Sequence, residues 1–477
     1  MGIVNSKNTT KELIKNTGII AIGNISTRAV SFLLLPLYTN ILTVNEYGLI
    51  DVLSTYVSFL CVFVGMQLNS SIFRFVIPYR NNLQKLREIC SSSFFLQLLL
   101  CFMYTIIFFL LYTVLNIEYK WFLLSHVILT TIFQFMSGLV RGLGNNKLYS
   151  LTNFLSSIVT ISLNVLFLLV FHLGVVAMLL SYVIGNAFGI LILFLCGDIF
   201  SKLSINAISF DVSKRMLSFS IPLIPNELSW TVLHASDRVI VTYFLGVASN
   251  GLIAAASKIS SVYTTCFSFF NSSWTEQVVL HYKDEGGPDY IAKMFNSVIV
   301  MFGGLAIFIV SIMPFAYNML IPNQDYIDSY NLIPLYIFAV FFNAIIGLIS
   351  AIYLVENETK LIALTTSTAA IINIVCNLLL IDYLGVYAAP ISSICGYAVI
   401  SLWRFVDVNK RYCKIYVDKG KIMLMGLSFS LSLIEYWSDD FYHKSIIFLI
   451  VISFILKINS PILLYIKNYF IKMYDKA

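Results

Sequence analysis

Long apolar runs, broken by short polar stretches, recur along the whole chain. A membrane-spanning helix needs about 20 mostly apolar residues. The runs supply fourteen candidates: 14–41, 48–77, 89–114, 120–141, 148–171, 174–196, 214–245, 250–282, 292–315, 330–355, 360–383, 386–407, 420–437 and 443–463. The eighth is too long for a simple span, so its last turns are expected to leave the bilayer. The connections are short, and the longest on the outer side runs only from about Pro314 to Tyr330. None is long enough to fold into an extramembrane catalytic domain, so whatever the chain does is expected to happen inside the membrane.

The placement of lysine and arginine tests this segmentation independently. With a cytoplasmic N-terminus and fourteen crossings, 24 of the 30 basic residues fall on inside segments, from Lys7, Lys11 and Lys15 through Arg404, Lys410 and Arg411 to Lys476. Outside segments hold only Lys120 and Lys444. A missed or extra helix would invert the bias downstream of the error. The bias instead persists to the end, which predicts a multi-pass membrane protein with both termini cytoplasmic. The apolar run after Lys15 has no small-residue cleavage site and is read as a first span rather than a cleavable signal.

Composition agrees. Hydrophobic residues make up 59% of the 477 positions and charged residues 11%, with a mean hydropathy of +0.86. Soluble domains run at about 45–50% apolar and about 25% charged. A soluble enzyme, a nucleic-acid binder and a disordered scaffold are therefore excluded together. The net charge of +6 is a topology signal beside a bilayer, not a nucleic-acid footprint. The eight cysteines form no CxxC pair and the five histidines no HExxH. No disulfide framework, metal site or cofactor is implied. The GxxxxGK[ST] pattern that would cradle a nucleotide does not occur.

The chain also repeats itself. At an offset of 203, Thr39, Leu42, Gly48-Leu49-Ile50 and Ser54 match Thr242, Leu245, Gly251-Leu252-Ile253 and Ser257. Further on, Lys147-Leu148 and Asn164 match Lys360-Leu361 and Asn377, and Leu173-Gly174-Val175 matches Leu384-Gly385-Val386. Ala177, Ser181 and Gly185 then match Ala388, Ser392 and Gly396. The predicted architecture is all-α. Two six-helix halves, 1–198 and 199–412, are followed by two extra helices and a cytoplasmic tail in 413–477. Six is even, so the halves are parallel repeats about an axis along the membrane normal, a geometry that leaves a cleft near the midplane.

Charges buried in spans are costly and usually face protein or water. Here they concentrate in the first two helices of each half: Arg28, Asp51, Arg74, Glu227, Asp237-Arg238, Lys258 and Glu276. The reading is a water-filled cavity lined by spans 1, 2, 7 and 8, with a cationic lean suited to an anionic ligand. Arg74 and Glu276 sit close to span ends, where snorkelling explains them equally well. Asp237 and Arg238 are adjacent, so each needs its own partner. Glu227 could form a fixed bridge with Arg28 or exchange a proton during transport, and the sequence does not choose. Pro222 and Pro225 are expected to bend span 7 and are candidates for a pivot.

Several local features together resemble the bacterial polysaccharide flippases, the Wzx-type O-antigen and capsule repeat-unit exporters of the multidrug/oligosaccharidyl-lipid/polysaccharide superfamily. They are Gly23-Asn24 through Pro36-Leu37-Tyr38-Thr39, Glu46-Tyr47-Gly48, Asn145-Asn146-Lys147, Ile221-Pro222-Leu223-Ile224-Pro225, Asp237-Arg238 and Asn250-Gly251. The resemblance covers spans 1–12. It implies a transporter rather than an enzyme, moving an undecaprenyl-diphosphate-linked oligosaccharide from the cytoplasmic to the periplasmic leaflet. The two halves would rock about a cationic cavity, with proton or sodium movement as candidate coupling. A polysaccharide polymerase and assembly proteins would be candidate partners. Arg28, Arg238 and Lys258 suit a diphosphate, because charge-assisted bonds to phosphate are strong.

Two rivals remain open at this point. A cation-coupled multidrug or metabolite exporter of the same superfamily would show acidic residues dominating the cavity. A membrane-embedded polysaccharide polymerase or glycosyltransferase would need a sizeable outer loop with catalytic groups. The outer acids Asp325, Asp328, Asp439 and Asp440 sit in short loops instead.

Overall fold

The computed structural model describes residues 32–114, 117–415 and 418–474, with side chains through residue 460. All regular structure among these residues is helical. In chain order the helices are α1 (Leu35–Ile41), α2 (Val44–Gly65), α3 (Leu68–Val76), α4 (Leu83–Leu111), α5 (Lys120–Gly142), α6 (Asn146–Leu169), α7 (Val175–Cys196) and α8 (Phe210–Ser220). There follow α9 (Ile224–Leu245), α10 (Val247–His281), α11 (Gly287–Leu320), α12 (Ile333–Val355), α13 (Thr359–Leu384), α14 (Ala388–Arg411), α15 (Lys419–Tyr436) and α16 (Phe441–Tyr474). Each predicted span from the second onward has its helix, with ends within about six residues except at the last, where the helix runs on to Tyr474. The first lies mostly outside the described residues. Nine helical stretches among the described residues are long and apolar enough to cross a membrane, one of them holding both α13 and α14.

Two predicted spans are broken. The second divides into α2 and α3 at Met66 and Gln67, both in the left-handed region at φ 41° and 54°. L-residues adopt that region at a cost of about 1–2 kcal/mol each. The seventh divides into α8 and α9 through a 3-10 turn at Ile221–Leu223 that holds Pro222, while Pro225 sits in the first turn of α9. Proline cannot donate the helical hydrogen bond, and it crowds the preceding turn.

The motifs start helices for local reasons. Thr43 caps α2 by accepting from Glu46 N, and Glu46 Oε2 accepts in return from Thr43 N at 2.9 Å, a reciprocal capping box. Asn145 Oδ1 accepts from Leu148 N at 3.1 Å and so caps α6. The matched turn of the repeat is conformational as well as sequential. Gly174 has φ 54° and ψ −128°, and Gly385 has φ 56° and ψ −130°. That backbone region is open essentially to glycine alone. The matched residues Ala177, Ser181, Ala388 and Ser392 are all fully buried behind these turns.

Cα packing divides the chain into two compact units, one holding 41–239 and the other 240–477 together with Leu35–Asn40, with the boundary inside α9. In the first unit α3 lies on α5, with Leu68, Ile72 and Val76 packed against Phe135, Met136 and Leu139. The approach is close because Gly138 and Gly142 face α3. A Cβ at Gly138 would stand 2.6 Å from Asn69 O, and one at Gly142 3.1 Å from Phe73 O. Such small-xxx-small faces let membrane helices touch backbone to backbone. The outer side of α4 exposes Leu98, Phe102, Met103, Ile106 and Leu110, as a lipid-facing helix would.

In the second unit α12, α13 and α14 pack together, and α15 and α16 seat on α11 through Val300, Ile307, Met425, Val451 and Ile458. The pair Gly303-Gly304 makes room for both added helices, Met425 above one glycine and Asn459 above the other.

One charge lies where the sequence did not place it. Arg404 was counted among the cytoplasmic topology signals, but it is fully buried. Its Nε and Nη2 donate to Thr365 Oγ1 at 2.9 and 2.7 Å, and Nη1 donates to Ser350 Oγ at 2.7 Å. Nη2 also reaches Thr366 Oγ1 and Ile362 O at 3.0 and 3.1 Å. A cage of hydroxyls, rather than an opposite charge, replaces water around this guanidinium.

Candidate functional site

Helix periodicity builds the main polar cavity. Residues three and four apart share a helix face. On α2 the stripe is Asp51, Ser54, Thr55 and Ser58; on α9 it is Glu227, Trp230, Thr231, His234, Ala235 and Arg238. The two stripes enclose about 400 Å³ within the first compact unit. The hydroxyls are already used as donors inside their own helices. Ser54 donates to Ile50 O, Thr55 to Asp51 O, Ser58 to Ser54 O and Thr231 to Glu227 O, at 2.8 to 3.0 Å. Their oxygen lone pairs therefore remain as acceptors toward the cavity.

At one end Arg238 Nε lies 2.6 Å from Asp51 Oδ2, and Arg238 Nη1 donates to His234 O at 2.7 Å. Both partners of this ion pair remain about a quarter exposed, at 22% and 25%. One turn further, the rings of Trp230 and His234 stack at 5.6 Å and 15°. Glu227 lines the other end and has no ion-pair partner among the described residues. The described lining thus holds one guanidinium against two carboxylates. Of the two further bases expected there, Arg28 lies outside the described residues, and Lys258 lies half-buried on α10 and is absent from this lining.

The remaining predicted residues fall elsewhere. Asp237 is buried at 6% exposure and is absent from the cavity lining, as its neighbouring position on the helix requires. Arg74 is exposed on α3 with its guanidinium 4.5 Å from the Phe219 ring of α8. Glu276 is exposed on α10. The proposed Glu227–Arg28 bridge falls outside the described residues. Sequence reasoning missed Ser54, Thr55, Ser58, Trp230, Thr231 and His234. Their signal was the spacing of polar residues around Asp51 and Glu227 at intervals of three and four, which becomes legible once those two acids are taken as one end of a stripe.

Comparison with known proteins places this geometry. The profile of a family described as "Polysaccharide biosynthesis protein" matches residues 13–275, more than half of the chain and the whole of both cavity stripes. Among solved structures the chain is similar to the lipid II flippase MurJ in an inward closed conformation. The TM-score is 0.72 at 14% identity, covering 93% of this chain and 98% of that one. It is also similar to an inward-facing multidrug resistance MATE transporter of the MOP superfamily, at TM-score 0.64 and 15% identity over 82% and 98% of the two chains. The outward-facing MATE structure gives TM-score 0.59 and 17% identity over 83% and 95%. No curated protein sequence matches. The chain belongs to the polysaccharide biosynthesis protein family and shares the fold of the lipid II flippase MurJ and of the multidrug resistance MATE structures.

Proposed function

We propose that the protein flips a polyprenyl-diphosphate-linked oligosaccharide repeat unit, in the manner of a Wzx-type O-antigen or capsule exporter, from the cytoplasmic to the periplasmic leaflet of the bacterial inner membrane. The observation that carries this reading is that the family match spans the polar cavity of an otherwise apolar bundle. A stack of Trp230 and His234 beside hydroxyl acceptors suits sugar hydroxyls and ring faces. Arg238, with Arg28 and Lys258, is assigned to the diphosphate, and Glu227 to coupling by proton exchange. Movement is by alternating access of the two six-helix halves, 1–198 and 199–412, without ATP. The break at Pro222 and Pro225 supplies a pivot.

The excess of carboxylate in the described lining favours a second reading, a cation-coupled multidrug or metabolite exporter. One experiment separates the two. Deletion in a strain with no other flippase should strand lipid-linked repeat units on the cytoplasmic leaflet and abolish surface polymer. Normal surface polymer, together with new sensitivity to cationic drugs, would establish the exporter instead.

A further inference from the structure

A second polar pocket, of about 270 Å³, lies in the first compact unit among α3, α5 and α6. It shares no residue with the cavity above. Gln134, Ser137 and Arg141 line it from one face of α5, at positions i, i+3 and i+7. The Arg141 guanidinium sits in the last turn of α5, 4.9 Å from the Phe73 ring and 5.7 Å from the Tyr149 ring. It makes no hydrogen bond or ion pair among the described residues. A planar cation flanked by rings keeps the N–H groups on its edge for an acceptor, and a bidentate oxyanion is the acceptor that fits.

A second observation points the same way. Ser137 lines the pocket at 6% exposure, yet its buried Oγ has no hydrogen-bond partner. Leaving such a group unpaired costs about 1–3 kcal/mol, and native interiors rarely do so without a ligand or water to fill the role. The pocket is bordered by α6, which lines it with Tyr149 and Asn153 and exposes Leu151 and Ile158 on its opposite face. The helix that borders the pocket thus also carries a face suited to lipid. Basic pockets between spanning helices near the cytoplasmic interface are suited to anionic lipid headgroups.

We propose that this pocket binds the phosphate headgroup of an anionic membrane lipid, with Arg141 on the phosphate and Ser137 and Gln134 on the adjoining oxygens. The proposal requires α5 to end at a membrane interface and is independent of the substrate assigned to the main cavity. The test is native mass spectrometry of the purified full-length protein with phosphatidylglycerol, phosphatidylcholine and inorganic phosphate. Phosphatidylglycerol should be retained over phosphatidylcholine by about tenfold, equivalent to about 1.4 kcal/mol. Arg141→Gln should abolish that preference, Arg141→Lys should keep part of it, and Ser137→Ala should reduce it without lowering the melting temperature. Equal retention of the two lipids, or an undiminished preference in Arg141→Gln, would overturn the proposal. So would displacement of the lipid by inorganic phosphate but not by chloride at equal ionic strength, which assigns the pocket to free phosphate. If Arg141→Gln does not fold, the lipid preference of the wild type and of Ser137→Ala decides the matter.

Discussion

Arg238 on α9 meets Asp51 on α2 at 2.6 Å, and each is the other's counter-charge at one end of the cavity. Both came from the sequence as isolated deep charges, and neither announced the other. Their contact changes what Arg238 can offer a ligand. On the proposed function it must leave or share Asp51 to bind a phosphate, so the ion pair would serve as a gate as well as a brace.

Asp51→Asn and Arg238→Gln should each impair export at a near-normal level of folded protein, and the exchange Asp51→Arg with Arg238→Asp should not recover export. A brace alone predicts that the exchange recovers it. Surface polymer and membrane protein level, measured on the same cells, separate the outcomes. The pair is part-exposed, so its loss should cost about 1 kcal/mol of stability or less.

Gly174→Ala and Gly385→Ala should each destabilise the protein by about 1–3 kcal/mol, because a Cβ is placed in a backbone region that only glycine occupies readily. The space around Gly385 is empty within 4 Å, so any loss there is conformational rather than steric. Melting of the purified variants in detergent measures it. An unchanged Gly385→Ala would refute the strain argument.

Arg404→Ala should cost about 3 kcal/mol or more, since it opens a void at a fully buried position and removes the donor that Ser350, Thr365 and Thr366 share. Arg404→Lys should recover little, because one ammonium cannot reach Ser350, Thr365 and Thr366 together. Export per folded molecule should be unchanged in both. A fall in that ratio would move Arg404 from scaffold to mechanism.

Orientation can be read chemically. A cysteine placed at Lys444 should be labelled by a membrane-impermeant maleimide in intact cells, and one at Lys283 only after the inner membrane is opened. The native Cys413 should stay unlabelled in both, because burial pushes its thiol up to about 11 and thiolate is the reactive form. Labelling at Lys283 in intact cells would invert the proposed topology.

The helices were legible because hydrophobic runs and basic residues report on the same bilayer from opposite sides. The split of the second span was not, since Met66 and Gln67 carry no sequence mark of the left-handed conformation they adopt. Prolines marked the other break. In the cavity, deep acids and bases stood out by cost. Serine and threonine did not, because hydroxyls that bond the preceding turn blend into a membrane helix. Arg404 misled for a related reason: a charge near a helix end reads as a topology signal whether it faces water or a hydroxyl cage.

The turns at Gly174 and Gly385 have one more implication. The chain carries the same bend twice, and each copy depends on its own glycine, so neither can stand in for the other. Repetition here means two vulnerable positions instead of a spare. Random mutagenesis should find both glycines equally intolerant, each as sensitive as if it were unique.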